Sequence, residues 1–299
     1  MNEKEFAALN ENFGMISTLE ILDLGGVPVL RISTPHASAR IAMQGAQVLE
    51  WQPAGHTPVL WLSHAATYQQ GRGVRGGIPV CWPWFGAGEG TLPAHGFVRT
   101  RMWQLRETSW KGEQLFVRLG IHDDAETRAI WDHAFDLELR VTISRTLRLQ
   151  LVTRNKGDRP FTITEALHTY FRVGDIQRTH IDGLDGAEYL DKTNGFSRHR
   201  QHGAIEIHGE TDRIYIDTQA SCVIHDPGHD RRILIDKSGS HSTVIWNPWV
   251  EKARGFADMK PEEYREMVCV ETCNAADDSI TVEPGDQYVL ACEFAVEST

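Results

Sequence analysis

The sequence has no long apolar run: nowhere in its 299 residues is there a stretch reaching the ~18 uncharged apolar residues that a membrane-spanning helix needs. It is also short of positive charge. Thirty Lys and Arg stand against 41 Asp and Glu, and the formal net charge of -11 argues against a general binder of nucleic acid or other polyanions. An anionic ligand would therefore have to be held by local arginines working against the overall field. Cysteines are few, and Cys81, Cys222, Cys269, Cys273 and Cys292 form an odd set with no tight CxxC pair. That fits reduced thiols in a cytosolic protein better than a disulfide framework. The opening segment MNEKEFAALNENFG is acidic and has no apolar core, so no signal peptide is expected. These absences together predict a soluble, cytoplasmic chain with no nucleic-acid or membrane partner.

Helical periodicity is scarce too. Residues 3–13 fit one short helix, and almost nothing afterwards reads as helical over three turns. What recurs is period-two alternation, in VPVLRIST (27–34), DLELRVTISRTLRLQLVTRN (136–155), FTITEALHTYFRVG (161–174), TDRIYIDT (211–218), MVCVETCN (267–274) and QYVLACEFAV (287–296). These runs are rich in Val, Ile, Thr and aromatics and are bounded by Gly, Pro, Asn and Asp, as strands are. So many strands indicate an all-β sandwich or barrel. No Ser/Pro-rich linker, low-complexity tract or fixed-period repeat divides the chain. One domain over residues 1–299 is the expectation, with residues 1–20 as an N-terminal extension.

The segment RGGIPVCWPWFGAGEGTLPAHGFVRTRMW (75–103) carries the densest chemistry. Arg75 precedes Gly76 and Gly77, and glycines let a backbone approach a ligand closely. Guanidinium forks grip phosphate or carboxylate bidentately, so Arg75 and Arg99 suit a sugar phosphate or a small organic acid. If HGFVR is a strand, alternation puts His95 and Arg99 on one face. The plainer alternative is that Arg99 is a solvated strand residue and His95 ends a turn. Trp82, Trp84 and Phe85 surround Pro83, and Trp246 and Trp249 bracket an NP pair. Aromatic rings stack on pyranose faces, although most tryptophans in a β protein are core, so one or two are expected to touch ligand.

In FTITEALHTYFRV one face reads Ile163, Glu165, Leu167, Thr169 and Phe171, which is mostly core-like. The other reads Thr164, Ala166, His168, Tyr170 and Arg172, which suits the open face of a large antiparallel sheet. In MVCVETCN, Glu271 projects away from Val268 and Val270. His168 and Glu271 are thus titratable groups in mid-strand, where they are expensive unless used or partnered. Together they can supply a general acid and a general base, while a hydrogen-bonded histidine and half an ion pair remain the plainer alternatives. Asp212 in TDRIY can accept hydroxyl hydrogen bonds at a groove edge. Local turn-capping is the plainer alternative for it and for Asp258 in GFADM, and it is the expected reading for Asp258. His225, Asp226, His229 and Asp230 do not form a compact ligand pattern, so no metal is expected there. GRGVRGG (71–77) is no phosphate loop and no GxSxG elbow occurs.

RGGIPVCWPWFG, LPAHGFVR, EALHTYF, ETDRIY, WNPW and CVET follow one another in this order. The set resembles the glucose-6-phosphate 1-epimerases, hexose-6-phosphate mutarotases of the aldose 1-epimerase (galactose mutarotase-like) superfamily. The resemblance runs from GAQVLEWQP (45–53) to the last strand. It implies a β-supersandwich with a groove over the larger sheet, and neither metal nor organic cofactor. It also implies His168 and Glu271 as the catalytic pair, with Arg75, His95, Arg99 and Asp212 binding substrate. Some members carry a glutamine just before the HGF histidine; this chain has Ala94, which puts one substrate contact and the sugar preference in question. The expected partner is a small-molecule hexose 6-phosphate, and the chain is expected to be a monomer. In this picture Glu271 is the base, protonated His168 is the acid, and their attraction raises the histidine pKa. A mutarotase for unphosphorylated aldoses and a catalytically silent sugar-binding module are the rival readings.

Overall fold

The computed structural model describes residues 3–299. Antiparallel strands dominate it, as the alternation predicts. A four-stranded meander (Leu19–Leu24, Val27–Ser33, Ala37–Ala42, Val48–Pro53) leads into two larger sheets. A nine-stranded sheet has its centre at Arg231–Ser238, Gln287–Ser298, Leu147–Asn155 and Phe135–Ile143. An eight-stranded sheet runs, in spatial order, through Ser197–Arg200, Glu188–Asp191, Thr211–Tyr215, Ser242–Asn247, Met267–Asn274, Glu165–Leu167 and Val80–Cys81. Its eighth strand, Tyr170–Arg172, also pairs with Met267–Asn274.

The strand Met267–Asn274 shows how alternation builds both the core and a second surface. All eight of its residues are buried. Val268 and Val270 enter the main core with Phe171, Ile233 and Phe294. Met267, Cys269 and Cys273 point the other way, into a smaller cluster with Tyr170, Val244 and Trp246. That second side carries the groove.

The N-terminal helix is present at Glu3–Phe13. Phe6, Leu9 and Phe13 pack on the main core, and the Asn10 side chain bonds both backbone groups of Ile21 at 2.8 and 2.9 Å. Thus docked against the meander, the helix contributes no residue to the groove lining.

Two local expectations are corrected. The run 161–174 is three short strands, Phe161–Ile163, Glu165–Leu167 and Tyr170–Arg172. The ladder is interrupted because the His168 amide donates to Pro79 O and the Tyr170 amide to Gly77 O, at 3.0 and 2.9 Å. His168 therefore lies between strands and not in mid-strand. HGFVR is not a strand either: His95 and Gly96 are left-handed (φ 65° and 71°) and Val98–Thr100 is a 3-10 turn. A Cβ on Gly96 would lie 1.8 Å from the carbonyl oxygen of Trp82, so only glycine permits that crossing.

Candidate active site

The groove lies over the eight-stranded sheet as a cavity of about 310 Å³. Two cross-strand rows run beneath it, and Asp212, Trp246, Tyr170, Val244 and Glu271 of those rows line it. Asp212 pairs with Trp246, Trp246 with Cys269, and Cys269 with Tyr170. In the next row, Ile214 pairs with Val244 and Val244 with Glu271. The register is the same on either side of the interruption, with Leu167 opposite Thr272 and Tyr170 opposite Cys269. Counting inward, His168 falls opposite Glu271. The interruption changes the backbone hydrogen bonds and keeps the side-chain alternation.

His168 Nε2 lies 3.4 Å from Glu271 Oε1, the carboxylate being 1% exposed. The imidazole stacks on Tyr170 at 4.8 Å between ring centroids and meets Trp246 and Phe85 edge-on. Burial, reinforced by the negative charge of Asp212, pushes the Glu271 carboxyl well above its usual range, and Lys192 opposes this. Burial and the nearby His95, Arg75 and Arg99 hold His168 well below the ordinary histidine value. The expected rise of the histidine pKa is therefore reversed, since desolvation and cations outweigh the partner carboxylate. His95, desolvated beside Arg99, Lys192 and Arg75, is lowered to about 4. These influences keep both imidazoles neutral at pH 7.

The cationic wall consists of Arg75, Arg99, Lys192 and Lys252. Arg75 Nε donates to Asp258 Oδ1 at 3.1 Å and an Nη to the Tyr170 hydroxyl at 3.4 Å, with its guanidinium 4.3 Å over Phe256. Asp258 is thus the counter-ion of Arg75 and lines the groove; the turn-cap reading is wrong. Arg99 Nη2 donates to the Ala94 carbonyl, and its buried Nε has no partner. Ala94 therefore holds an arginine through its backbone, whatever its side chain lacks. Asp212 Oδ2 pairs with Lys192 Nζ at 2.9 Å, leaving Oδ1 buried and unpartnered.

All six residues singled out from the sequence line this one cavity: Arg75, His95, Arg99, His168, Asp212 and Glu271. Sequence reasoning missed Lys192, Tyr170 and Phe256. Only Tyr170 had a signal, its place on the His168 face. Among the tryptophans Trp246 alone lines the groove; Trp82 is core, and Trp84 Nε1 donates to Pro93 O.

Fold and groove together define a class. A galactose mutarotase-like protein from Clostridium acetobutylicum superposes with a TM-score of 0.70 at 14% identity, over 94% of this chain and 98% of that one. This is the galactose mutarotase-like supersandwich. The profile of the aldose 1-epimerase family matches residues 28–295, and the chain belongs to that family of isomerases. A crystal structure of a provisionally assigned mutarotase from Salmonella typhimurium is similar at 32% identity and a TM-score of 0.90, covering 95% of both chains. An Escherichia coli K12 protein provisionally named glucose-6-phosphate 1-epimerase is 35% identical over 256 residues, 85% of each chain.

Proposed function

We propose that this enzyme interconverts the α and β anomers of a hexose 6-phosphate, glucose 6-phosphate foremost. The observation that carries the reading is the His168–Glu271 pair at 3.4 Å on the floor of an arginine-walled groove. The provisional names of the relatives agree with it. His168 and Glu271 act as acid and base, Arg75 and Arg99 clamp the phosphate with Lys192 beside them, and Asp212 and His95 bind hydroxyls. The enzyme works as a cytoplasmic monomer in which the whole chain is one domain. All five cysteines are buried free thiols, which supports the cytoplasmic reading.

Opening a hemiacetal requires one proton taken and one given. Burial raises the Glu271 carboxyl and lowers the His168 imidazole, and both shifts favour the neutral pair in which the shared proton sits on the carboxyl side. Burial is the first cause of the depressed His168, and the field of Arg75 and Arg99 adds to it. A phosphate dianion on those arginines cancels that added part. Since neither arginine is a principal influence on Glu271, the balance of the shared proton moves toward the imidazole on binding. Glu271 then removes the C1 hydroxyl proton while His168 protonates the ring oxygen. The C1–O5 bond breaks as the C1 carbonyl forms. Rotation about C1–C2 presents the other carbonyl face, and reversed transfers close the ring. No net proton is consumed, so the pair returns to its starting state.

Magnetisation-transfer NMR of glucose 6-phosphate, glucose and galactose tests the proposal. Accelerated exchange of the phosphosugar alone is the expected result. Exchange of free sugars alone would discard the phosphate clamp. Saturable binding without any acceleration would leave a sugar-binding module.

A further inference from the structure

The groove floor also brings a thiol to the acid–base pair. Cys269 stands two residues before Glu271 on the same face of Met267–Asn274, directly opposite Tyr170. A ring nitrogen of His168, the Cys269 Sγ and a Glu271 oxygen all lie within 4.8 Å of one another. The 3.4 Å from His168 Nε2 to Glu271 Oε1 is long for a charge-assisted hydrogen bond. It is close to the edge of a tetrahedral zinc site, where bonds of about 2.0–2.2 Å put nitrogen and oxygen about 3.3 Å apart. Zinc–sulfur bonds near 2.3 Å imply edges of about 3.5 Å, so the sulfur has to close by little more than about 1 Å. Glu271 Oε2 is buried without a hydrogen-bond partner, so a cation that displaces the carboxyl proton gains that oxygen without breaking a hydrogen bond.

A second His/Asp group makes a useful contrast. His180, Asp182 and His225 sit on adjacent strands, away from the core face carrying Ile181 and Ile224. There the two imidazoles stack at 4.2 Å, and His225 Nε2 is 2.9 Å from Asp182 Oδ2. That spacing is a closed hydrogen bond, shorter than a coordination edge.

We propose that the groove floor is an inhibitory site for a thiophilic divalent cation such as Zn²⁺ or Cd²⁺, bound by His168, Cys269 and Glu271 with its fourth position open to the groove. Occupation takes both proton-transfer groups, so cation and sugar exclude each other; this consequence rests on the proposed function, whereas the binding itself does not. Sulfur and imidazole ligands select such ions over Mg²⁺ and Ca²⁺. His168 Nδ1 has no hydrogen-bond partner to orient the ring, which places affinity below that of dedicated zinc enzymes. The Cys269 thiol and the protonated Glu271 carboxyl must each release a proton to water on coordination, so binding tightens as pH rises.

The test titrates the metal-free full chain with Zn²⁺ against a chromophoric zinc indicator, and with Co²⁺ by absorption. Glucose 6-phosphate exchange is followed in parallel. Expected are one equivalent of Zn²⁺ displaced by hexose 6-phosphate, a thiolate-to-cobalt charge-transfer band, and loss of exchange reversed by chelator. Cys269→Ser and, as a second variant of the same position, Cys269→Ala should each weaken Zn²⁺ binding at least ~10-fold and abolish the band. Metal-free exchange should remain in both. No binding, binding unchanged in both variants, or binding lost instead in His225→Ala would overturn the proposal. A thiolate band in a protein that accelerates no sugar would keep the site and discard the function.

Discussion

Arg231 and Asp226 are as deeply buried as Glu271 and Asp212, yet the two sets of charges are finished differently. Arg231 donates from Nε to Asp226, from Nη1 to Thr57 and Pro58, and from Nη2 to Arg172 O. Asp226 also accepts from the Gly174 amide and faces His229 Nδ1. On the groove floor, by contrast, Glu271 Oε2, His168 Nδ1, Asp212 Oδ1 and Arg99 Nε are all buried without partners. Saturation marks a structural cluster, and convergent unmet bonding capacity marks a site awaiting ligand. An isolated orphan means less. Glu165 Oε1 also lacks a partner, but burial pushes that carboxyl up to about 8, so it sits in the core as a neutral acid.

The comparison breaks most sharply at its functional end. Each proton-transfer group contributes about 10²–10⁴-fold, so His168→Ala or Glu271→Gln should slow glucose 6-phosphate exchange by at least ~100-fold. The melting temperature should hold or rise, because an under-bonded buried group is removed. A variant that exchanges normally, or that unfolds, would show the pair to be structural. Asp226→Asn should do the reverse. It strands a buried guanidinium, which costs roughly 3–5 kcal/mol. Chemical denaturation would register that loss while exchange per folded molecule stays at the wild-type rate.

Alternation along the chain carried most of this. Both faces of 161–171 behave as period two requires, although the backbone ladder stops at His168. Ile163, Glu165, Leu167, Thr169 and Phe171 are all buried, and Ala166 and Tyr170 lie on the groove side. Side-chain direction survives an interruption that hydrogen bonding does not. Asp226 of HDPGHD belongs to no compact ligand pattern in the sequence; it serves the Arg231 pair because the strands carrying them are neighbours. What pattern could not reveal depends on strand order. Arg75 and Asp258 are 183 residues apart, and Lys192 reaches Asp212 only because Glu188–Asp191 lies beside Thr211–Tyr215. Nothing local to either residue announces such a pairing.

The arginines sharpen the comparison within the groove. Arg99 has one weak backbone bond and an unmet Nε, whereas Arg75 is already held by Asp258 and Tyr170. A charge-assisted contact is worth about 1.5–3 kcal/mol, so Arg99→Ala should raise the phosphosugar KM by roughly 10–100-fold. Arg75→Ala should raise KM less and lower kcat as well, because Tyr170 loses its tether beneath the His168 ring. Equal and purely KM effects would show that prior engagement does not distinguish the two. If neither variant moved KM, the phosphate clamp would fall.

Lys192 should give the smallest effect and the most specific one. It is the group that lowers the Glu271 pKa against burial and Asp212, and it is absent from the principal influences on His168. In the proposed mechanism the working pair carries one proton. Its low-pH limit is protonation of His168, and its high-pH limit is loss of the proton from Glu271. Removing the ammonium in Lys192→Met leaves Glu271 less stabilised as an anion, so its pKa rises. The alkaline limb of the kcat/KM profile should then move to higher pH while the acid limb stays. The phosphate's own ionisation, near about 6, affects both proteins alike and cancels in the difference. Lys192→Arg should restore the alkaline limb. If both limbs moved together, Lys192 would be acting on substrate binding as a whole. An unmoved alkaline limb would mean that Glu271 does not set it, and the acid–base assignment would need a different proton acceptor.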